Sequence, residues 1–479
     1  MISPLWRKTM VGRLEEIKTL DEVLSRREGQ FVAVYGRRRI GKTYLIRQYF
    51  KGKFTFYHTG ESNVGFRDQL IGFRDSLRDY GHQCQLPKTW REAFRELRSL
   101  IEASKDEKKV IFIDEMPWLD TPRSKFLPAL EHFWNSWGSS RQDLVMIVCG
   151  SASTWIIKNI LKNRGGLHNR ITDQIHLMPF TLRECEELVR DSGLSLSRQE
   201  ICSLYMIFGG VAYYWDFLRK GESVAQSVDR LLFAPNGKLR GEFDSMTASL
   251  FKKDIAHRKV FTALASKGIG MSREELLKKT GLPDGRVFCQ VLDSLEKCGF
   301  VRRYTAYGKK RRDALYQLMD SFSLFHLRFI EPESNPSPNE WTVGVSSKAR
   351  SAWEGIAFER ICLMHIREIK RALQIDGVRT NVCSWRHVAD ETYGKGAQID
   401  LMIDRADNVI NICEMKYSSG KYTLSKSDCE NIDNKLDAFR AVSDTAKSLH
   451  LTVITANGLA ENAYARKAQK VLVLDDLFA

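Results

Sequence analysis

The sequence predicts a multidomain α/β protein, and two observations lead to that prediction. The chain has 479 residues, which is too many for a single ordinary hydrophobic core. We therefore expect two or three domains. Up to about residue 230, short β-rich apolar runs alternate with longer amphipathic segments, a pattern typical of a parallel sheet covered by helices on both faces. The candidate strands are residues 31–35, 54–58, 110–114, 144–150 and 174–178.

Composition narrows the class of protein. Hydrophobic residues make up 43% of the chain and charged residues 28%, the balance of a soluble globular protein. No apolar run approaches the roughly 18 residues that span a bilayer, and the first residues lack the apolar region of a secretory signal. Ten cysteines are scattered without a CxxC pair, as expected for core residues in a reducing compartment. We therefore expect a cytoplasmic protein without a membrane partner.

The charge balance points to an anionic partner. The formal net charge is +15 and the isoelectric point is about 9.3. Nucleic acid is the simplest such partner, because cationic side chains release counterions from phosphates. The alternative interpretation is a generally basic soluble surface.

A phosphate-binding motif follows the first predicted strand. Residues 36–43 read GRRRIGKT, which has the GxxxxGK[ST] spacing of a P-loop. Lys42 is expected to reach the β and γ phosphates of ATP, and Thr43 to bind Mg²⁺ at a helix N-terminus. The predicted ATP-binding residues of this loop are Gly36, Arg37, Arg38, Arg39, Ile40, Gly41, Lys42 and Thr43.

A second signal is the apolar run VIFIDEMPWL, which ends in two adjacent carboxylates. In a P-loop protein Asp114 would hold Mg²⁺ and so contribute to ATP binding, while Glu115 would polarise the attacking water. The alternative is that the two carboxylates merely begin a solvated loop. Their distance downstream of a P-loop favours the catalytic interpretation.

These motifs together resemble a known family. VGRLEEI (11–17), the P-loop, FIDEMPWL, CGSAS (149–153) and GGLHNRITDQIHLMPFTLRE (165–184) resemble the archaeal-type ATPases. That family belongs to the signal-transduction branch of AAA+-related P-loop NTPases and also occurs in bacteria. The resemblance runs the whole length of the chain, and its first half is the more specific.

The resemblance implies roles for two further residues. Ser151 corresponds to the polar sensor beside the γ-phosphate, and Arg170 to an arginine that completes its own or a neighbour's site. A role in a neighbour's site would imply a homo-oligomer. Arg164 competes for this role, and the alternative for Arg170 is a surface arginine at a helix end. The family tends to have proline where this chain has Ala212, so coupling of nucleotide state to downstream movement is less supported than nucleotide binding.

A helix-turn-helix pattern lies downstream. Ser272 and Glu275 form a capping box, and a second helix is expected from 285 to 297. A hairpin with a basic turn follows, so the segment predicts a winged helix that contacts DNA. The alternative is a lid or a protein contact. The inward stripe of the second helix is predicted as Val287, Val291, Leu292 and Leu295, and the basic turn as Lys309, Lys310, Arg311 and Arg312.

The C-terminal segment contains a predicted hairpin with its turn near residues 405–408. Folding it back places Asp400 near Glu414, and strand alternation puts Lys416 on the face of Glu414. Two carboxylates can hold Mg²⁺ while a lysine steadies the water or the scissile phosphate. The alternative is a Glu/Lys pair that stabilises an exposed strand.

This constellation resembles the PD-(D/E)xK family of restriction endonucleases and junction resolvases. The resemblance adds Glu359, on the preceding helix, as a further acidic metal ligand. The proline that usually precedes the aspartate is replaced by Ile399.

The predicted order is a P-loop ATPase core at 1–180, a helical lid at 181–248, a winged helix-turn-helix at 249–330, a linker at 331–345 and a restriction-endonuclease-like α/β domain at 346–479. The predicted function is an ATP-binding and ATP-hydrolysing switch, using Mg²⁺, that binds double-stranded or branched DNA and controls the nuclease-like domain. Two alternatives are a non-cleaving DNA-binding regulator and a protein scaffold.

Overall fold

In the computed structural model the chain forms two compact units, one up to Pro179 with Lys297–Gly299, the other Phe180–Glu296 with Phe300–Ala479. The structure describes residues 10–151, 153–161, 166–167, 169–251, 254–332 and 337–479, without the side chains of residues 153, 254 and 311. Among the described helices, none has both the length and the apolar character needed to cross a bilayer.

The first unit is built on a five-stranded parallel sheet in the order β2-β3-β4-β1-β5. The strands lie close to the predicted runs, but β5 ends two residues early because β1, its one partner in the sheet, ends at Tyr35. The strands are β1 (Gln30–Tyr35), β2 (Phe56–Thr59), β3 (Lys109–Asp114), β4 (Leu144–Gly150) and β5 (Asp173–His176).

Helices cover both faces of this sheet. Alternate residues of β1 enter two different cores, with Phe31 in one and Val32 in the other, which explains why the strands read as continuous apolar runs. The helices are α1 (Leu14–Ser25), α2 (Lys42–Tyr49), α3 (Phe66–Asp79), α4 (Trp90–Ala103), α5 (Phe126–Ser136) and α6 (Ser153–Ile156).

The second unit begins with a helical part. A Cβ atom at Gly210 would lie 1.8 Å from the Phe180 carbonyl oxygen, so this close approach requires glycine. The helices are α7 (Leu182–Asp191), α8 (Arg198–Phe208), α9 (Ala212–Trp215), α10 (Val224–Val228) and α11 (Glu242–Leu250).

Three helices and a small antiparallel sheet follow. Ser272 caps α13 with the predicted capping box, and Gly281 ends that helix in the left-handed conformation at φ 63°. The elements are α12 (Asp254–Ala265), β6 (Met271–Ser272), α13 (Arg273–Thr280), α14 (Arg286–Lys297), β7 (Val301–Tyr304) and β8 (Leu315–Leu318), with the strands in the order β6-β8-β7.

One predicted core position in α14 is wrong. Val287 is 65% exposed, whereas Phe288 is buried and shares the inward face with Val291 and Leu295. Positions 288, 291, 292 and 295 follow the i, i+3, i+4, i+7 spacing of one helix face. Val287 lies about 100° away from Phe288 around the helix and so leaves that face.

The C-terminal part has a five-stranded mixed sheet in the order β13-β12-β11-β10-β9. Strands β9, β10 and β11 pair antiparallel, and β11, β12 and β13 pair parallel. The elements are α15 (Ser321–Phe325), α16 (Ser347–Met364), α17 (Ile366–Ala372), β9 (Thr380–His387), β10 (Ala397–Arg405), β11 (Val409–Lys416), α18 (Lys426–Ser443), β12 (Ser448–Thr455) and β13 (Lys470–Leu472).

Part of the predicted linker is packed. Residues 333–336 lie outside the described residues, but Glu340–Gly344 forms a helical turn in which Trp341 is 5% exposed. The Trp341 backbone N–H donates a 2.7 Å hydrogen bond to Asp229 Oδ1. This end of the segment is therefore fixed to the helical part of the same unit.

Candidate nucleotide site and candidate metal centre

Backbone geometry favours glycine at both ends of the loop after β1. Gly36 has φ 151°, and a Cβ atom there would lie 2.3 Å from the Leu177 carbonyl oxygen. Gly41 precedes α2 with φ 91°. The two glycines thus let the loop turn tightly into the N-terminus of α2, where backbone N–H groups are available to an anion.

Arg13 braces this loop, a role that sequence reasoning missed. Its guanidinium is buried and donates hydrogen bonds to the carbonyls of Ile40 (3.2 Å) and Met178 (2.8 Å). Arg13 belongs to the VGRLEEI motif, but the motif alone does not show that this side chain holds the loop. Arginine suits the position because its planar fork can serve two acceptors at once.

Lys42, Ser151 and Glu115 form a hydrogen-bonded chain. Lys42 is 5% exposed and its Nζ donates to the Arg37 carbonyl (2.8 Å) and to Ser151 Oγ (3.2 Å). The Ser151 hydroxyl donates to Glu115 Oε1 at 2.6 Å, and the Ser151 backbone N–H donates to Oε2 at 3.3 Å. Lys42 begins α2 after the loop that follows β1, whereas Glu115 and Ser151 directly follow β3 and β4, and these carboxyl ends of the parallel strands lie at one edge of the sheet.

Thr43 and Asp114 form a second contact at the same edge. Thr43 Oγ1 donates to Asp114 Oδ2 at 2.6 Å, and the Glu115 backbone N–H donates to Asp114 Oδ1 at 2.9 Å. Burial raises the pKa of Asp114; the Thr43 hydroxyl opposes that rise and the neighbouring Glu115 adds to it. A hydroxyl next to a buried carboxylate is a donor set that fits Mg²⁺.

The arginines predicted for this site lie in different environments. Arg37 is buried, Arg39 is half-buried and Arg38 is exposed. Arg170 is exposed, and within the described part of the chain its side chain forms no ion pair. The competing Arg164 lies outside the described residues.

In the C-terminal part the hairpin register places Asp400 across from Glu414. Strand β10 pairs antiparallel with β11, with Leu401 opposite Cys413. One residue further along the same register, Asp400 stands opposite Glu414. Glu414 Oε1 lies 3.1 Å from Lys416 Nζ. Its other oxygen accepts a 2.6 Å hydrogen bond from Lys435 Nζ, a residue of α18 that sequence reasoning missed because it lies 21 positions downstream of Glu414.

Glu359 on α16 completes a group of three carboxyls. Burial raises the pKa of Glu359 to about 7, with the nearby Asp400 and Glu414 adding to the rise and Arg360 opposing it. Among the described residues, the three carboxylates do not bring their ligand atoms within 4.8 Å of one another. A buried carboxyl such as Glu359, whose ionisation is disfavoured by two neighbouring carboxylates, is nevertheless an oxygen donor that a hard divalent cation stabilises.

The predicted winged-helix segment has two exposed surfaces, one on α14 and one at the turn between β7 and β8. The exposed face of α14 begins with Arg286, Val287 and Gln290 and ends with acidic residues. In the hairpin turn the side chains of Lys309, Lys310 and Arg312 are exposed, and that of Arg311 lies outside the described residues.

The N-terminal part of the chain is similar to a known family of domains. Residues 10–215 match the family model of an ATPase domain predominantly from Archaea. Over 405 residues the chain is 22% identical to an uncharacterized protein of Methanocaldococcus jannaschii, covering 82% of this chain and 83% of that protein.

Among solved structures, the chain is similar to a Walker-type ATPase of Pyrococcus abyssi, with a TM-score of 0.50 and 18% identity over 67% of this chain and 97% of that one. It is also similar to the ORC2 protein of Aeropyrum pernix in its ADPNP-ADP complexes, with a TM-score of 0.44 and 15% identity over 68% and 95% of the two chains. The first likeness confirms the predicted fold of the N-terminal part. Residues 10–215 thus match the model of an ATPase domain that occurs predominantly in Archaea, and the likeness to the Walker-type ATPase supports a P-loop ATPase fold.

Proposed function

We propose that the protein is an ATP-hydrolysing switch that binds DNA and controls metal-dependent cleavage by its C-terminal α/β part. The observation that carries the ATPase half is the chain of hydrogen bonds from Lys42 through Ser151 to Glu115. It links a cation, a hydroxyl and a carboxylate at the sheet edge where P-loop proteins place the reacting phosphate.

Each member of that chain has a defined role in this proposal. Lys42 exchanges its neutral oxygen partners for the β and γ phosphates, which are stronger acceptors. Glu115 polarises the attacking water, and Ser151, which holds Glu115 before ATP arrives, reports the γ-phosphate. Thr43 and Asp114 would hold Mg²⁺, which neutralises phosphate charge when bound.

DNA binding is assigned to the segment α13, α14, β7 and β8 as a winged helix. The first turns of α14 would enter the major groove with Arg286 and Gln290, and the basic hairpin turn would meet phosphates. Exposure of Lys309 and Lys310 at the turn supports this assignment, because cations must be accessible to neutralise phosphates.

The nuclease half of the proposal is supported by the hairpin register and by the raised pKa of Glu359. Asp400 and Glu414, with Glu359, would hold Mg²⁺. Lys416 stands 3.1 Å from Glu414, where its ammonium can steady the water or the scissile phosphate.

Hydrogen bonds within the same unit connect the proposed DNA-binding segment to the helix and the sheet of the proposed metal centre. Arg360, the neighbour of Glu359, is buried and donates hydrogen bonds to the carbonyls of Leu318 (3.0 Å) and Gly268. The Tyr307 backbone N–H donates a 2.7 Å bond to the Ser384 carbonyl on β9. Movement of the winged helix would therefore shift the helix that carries Glu359.

A non-cleaving regulator is the second candidate function. Glu414 is bound by both Lys416 and Lys435, and two ammonium groups can neutralise one carboxylate without a metal. In that case the C-terminal part would only bind DNA or protein. A third possibility, a protein scaffold with incidental positive charge, predicts no salt-sensitive DNA binding.

Cleavage of linear, supercoiled and branched DNA, with Mg²⁺ and ATP, tests the proposal. Wild type would be compared with Lys42→Ala, Glu414→Ala and a control, Glu430→Ala, on the exposed face of α18. Cutting by wild type and by the control, lost in the other two, is expected. No cutting by any form, with ATP hydrolysis lost in Lys42→Ala, would reject the nuclease half and leave the regulator.

A further inference from the structure

A separate cluster of metal-binding side chains lies in the connection from α3 to α4. We propose that His82, Cys84 and Glu96 form a site for a zinc-type divalent cation. The imidazole, the thiol and the carboxylate each offer one ligand atom, and the three atoms lie within 4.8 Å of one another. None of these residues belongs to the nucleotide network, so the inference does not rest on the proposed function.

The ligand chemistry fits zinc better than magnesium. Zn²⁺ binds neutral imidazole, thiolate and carboxylate, whereas Mg²⁺ requires an oxygen shell. Ligand atoms around a tetrahedral Zn²⁺ are about 3.3–3.6 Å apart. His82 Nε2 and Glu96 Oε2, now 2.7 Å apart, would need to separate slightly while Cys84 approaches, and side-chain rotation allows this movement.

The backbone that carries the ligands is already fixed. Gly81 has φ 85°, and the His82 backbone N–H donates 2.9 Å to the Leu77 carbonyl, which closes the end of α3. The Arg78 guanidinium donates 3.1 Å to the Cys84 carbonyl. The loop thus holds its two ligands near Glu96 on α4 before a metal arrives, which reduces the entropy that binding must overcome.

Exposure leaves room for the rest of the coordination shell. The side chains of His82 and Glu96 are 21% and 38% exposed, so water can fill the fourth position. Cys84 packs against the edge of the first apolar core, which anchors the sulfur. A cation bound here would tie the α3–α4 loop to α4, with one position open to exchange.

Cobalt titration of the full-length, metal-stripped chain tests this site. Co²⁺ bound to a thiolate in a tetrahedral site gives a near-ultraviolet charge-transfer band and strong visible bands, which oxygen-only sites do not give. Wild type should show these bands at one Co²⁺ per chain, and Zn²⁺ should abolish them. Cys84→Ser should lose them, while Cys289→Ser, which removes the exposed cysteine of α14, should keep them.

Two further variants keep the test decisive if Cys84→Ser fails to fold. His82→Asn and Glu96→Gln each remove one ligand, and we expect each to weaken Co²⁺ affinity at least ~10-fold, since loss of a hydrogen-bonding partner behind a ligand already costs that much. Absence of the bands in wild type would overturn the site. So would bands that survive in Cys84→Ser, or affinities unchanged in both other variants.

Discussion

The Ser151 hydroxyl donates a 2.6 Å hydrogen bond to Glu115, joining the end of β4 to the residue after β3. A carboxylate held this way has a fixed orientation before ATP binds. Glu115 itself adopts a left-handed backbone at φ 44°, which aims its side chain across the sheet edge toward Ser151. The carboxylate of the proposed general base and the hydroxyl that orients it can therefore be removed by separate mutations.

Replacing Glu115 by glutamine tests the base. Glu115→Gln should keep ATP affinity, because Lys42 and the loop are untouched, and should lower kcat by about 10²–10⁴-fold, the usual contribution of a general base. Nucleotide binding and steady-state hydrolysis measure the two effects. Glu102→Gln, an exposed position on α4, is the matched control and should hydrolyse normally.

Removing the Ser151 hydroxyl tests the orientation of Glu115 separately. Ser151→Ala keeps Glu115 and the longer bond from the Ser151 backbone N–H but removes the short bond from the hydroxyl, so Glu115 is held less firmly. We expect kcat to fall by about 10²-fold while KM changes little. A fall as large as that of Glu115→Gln would assign Ser151 a direct role in the reaction. An unchanged kcat would contradict the sensor assignment.

Arg170 can be tested for action on a neighbouring copy. If it completes a neighbour's site, Arg170→Ala and Glu115→Gln should each hydrolyse poorly, yet mixing them should restore activity at sites that combine both intact residues. Arg190→Ala, exposed on α7, is the control and should behave as wild type. Failure of the mixture, with both single variants inactive, would place Arg170 in the site of its own chain, and normal hydrolysis by Arg170→Ala would place it outside catalysis.

The hairpin turn should set the salt dependence of DNA binding. Replacing Lys309, Lys310 and Arg312 by alanine should make the slope of log K against log salt less negative by about 2–3, since each phosphate contact contributes about 0.9. Fluorescence anisotropy with a duplex at several salt concentrations measures that slope.

A charge-matched control separates local contact from net charge. Replacing Lys51, Lys53 and Arg67, all exposed in the first unit, removes the same charge elsewhere. An equal change of slope in both triple variants would indicate a general charge effect, and would count against a DNA-binding turn.

Two buried histidines should make stability fall with acid. Burial lowers the pKa of His58 and of His326 to about 4, below the unfolded value near 6.5. The unfolded chain therefore binds more protons between these values, so stability is complete above about pH 6.5 and declines toward pH 4, by up to about 3 kcal/mol per histidine. Urea unfolding across this range measures the decline.

A substitution of His58 tests whether this histidine causes part of the loss of stability in acid. His58→Phe keeps an aromatic ring and removes the titration, and Ser76 retains the Gly72 carbonyl as an acceptor. The variant should lose part of the acid sensitivity that His132→Gln, at an exposed position, retains. Equal pH dependence in wild type and His58→Phe would show that His58 does not carry the effect.

The sequence was most informative where chemistry restricts the chain strongly. The P-loop spacing predicted the turn after β1 because the positive φ angles of Gly36 and Gly41 strongly favour glycine. The turn near Asn408 predicted the register of β10 and β11, since a one-residue slip would turn each side chain to the other face. The capping box at Ser272 predicted where α13 begins.

Long-range contacts were the part that the sequence could not supply. Val287 and Phe288 are both apolar, and only packing decides which one faces inward. Arg13 contacts Met178, 165 positions away, and Lys435 on helix α18 contacts Glu414 on strand β11. Such partners depend on how distant elements meet, which local periodicity does not encode.

Measuring DNA affinity of the full chain with no nucleotide, with ADP and with a non-hydrolysable ATP analogue tests the switch most directly. A switch requires each nucleotide to bind two states of the chain with different affinity, and DNA to distinguish the same states. We predict that wild-type affinity differs among the three conditions, whereas Lys42→Ala gives one affinity throughout. Equal affinity of wild type in all three conditions, with nucleotide shown to be bound, would contradict the account.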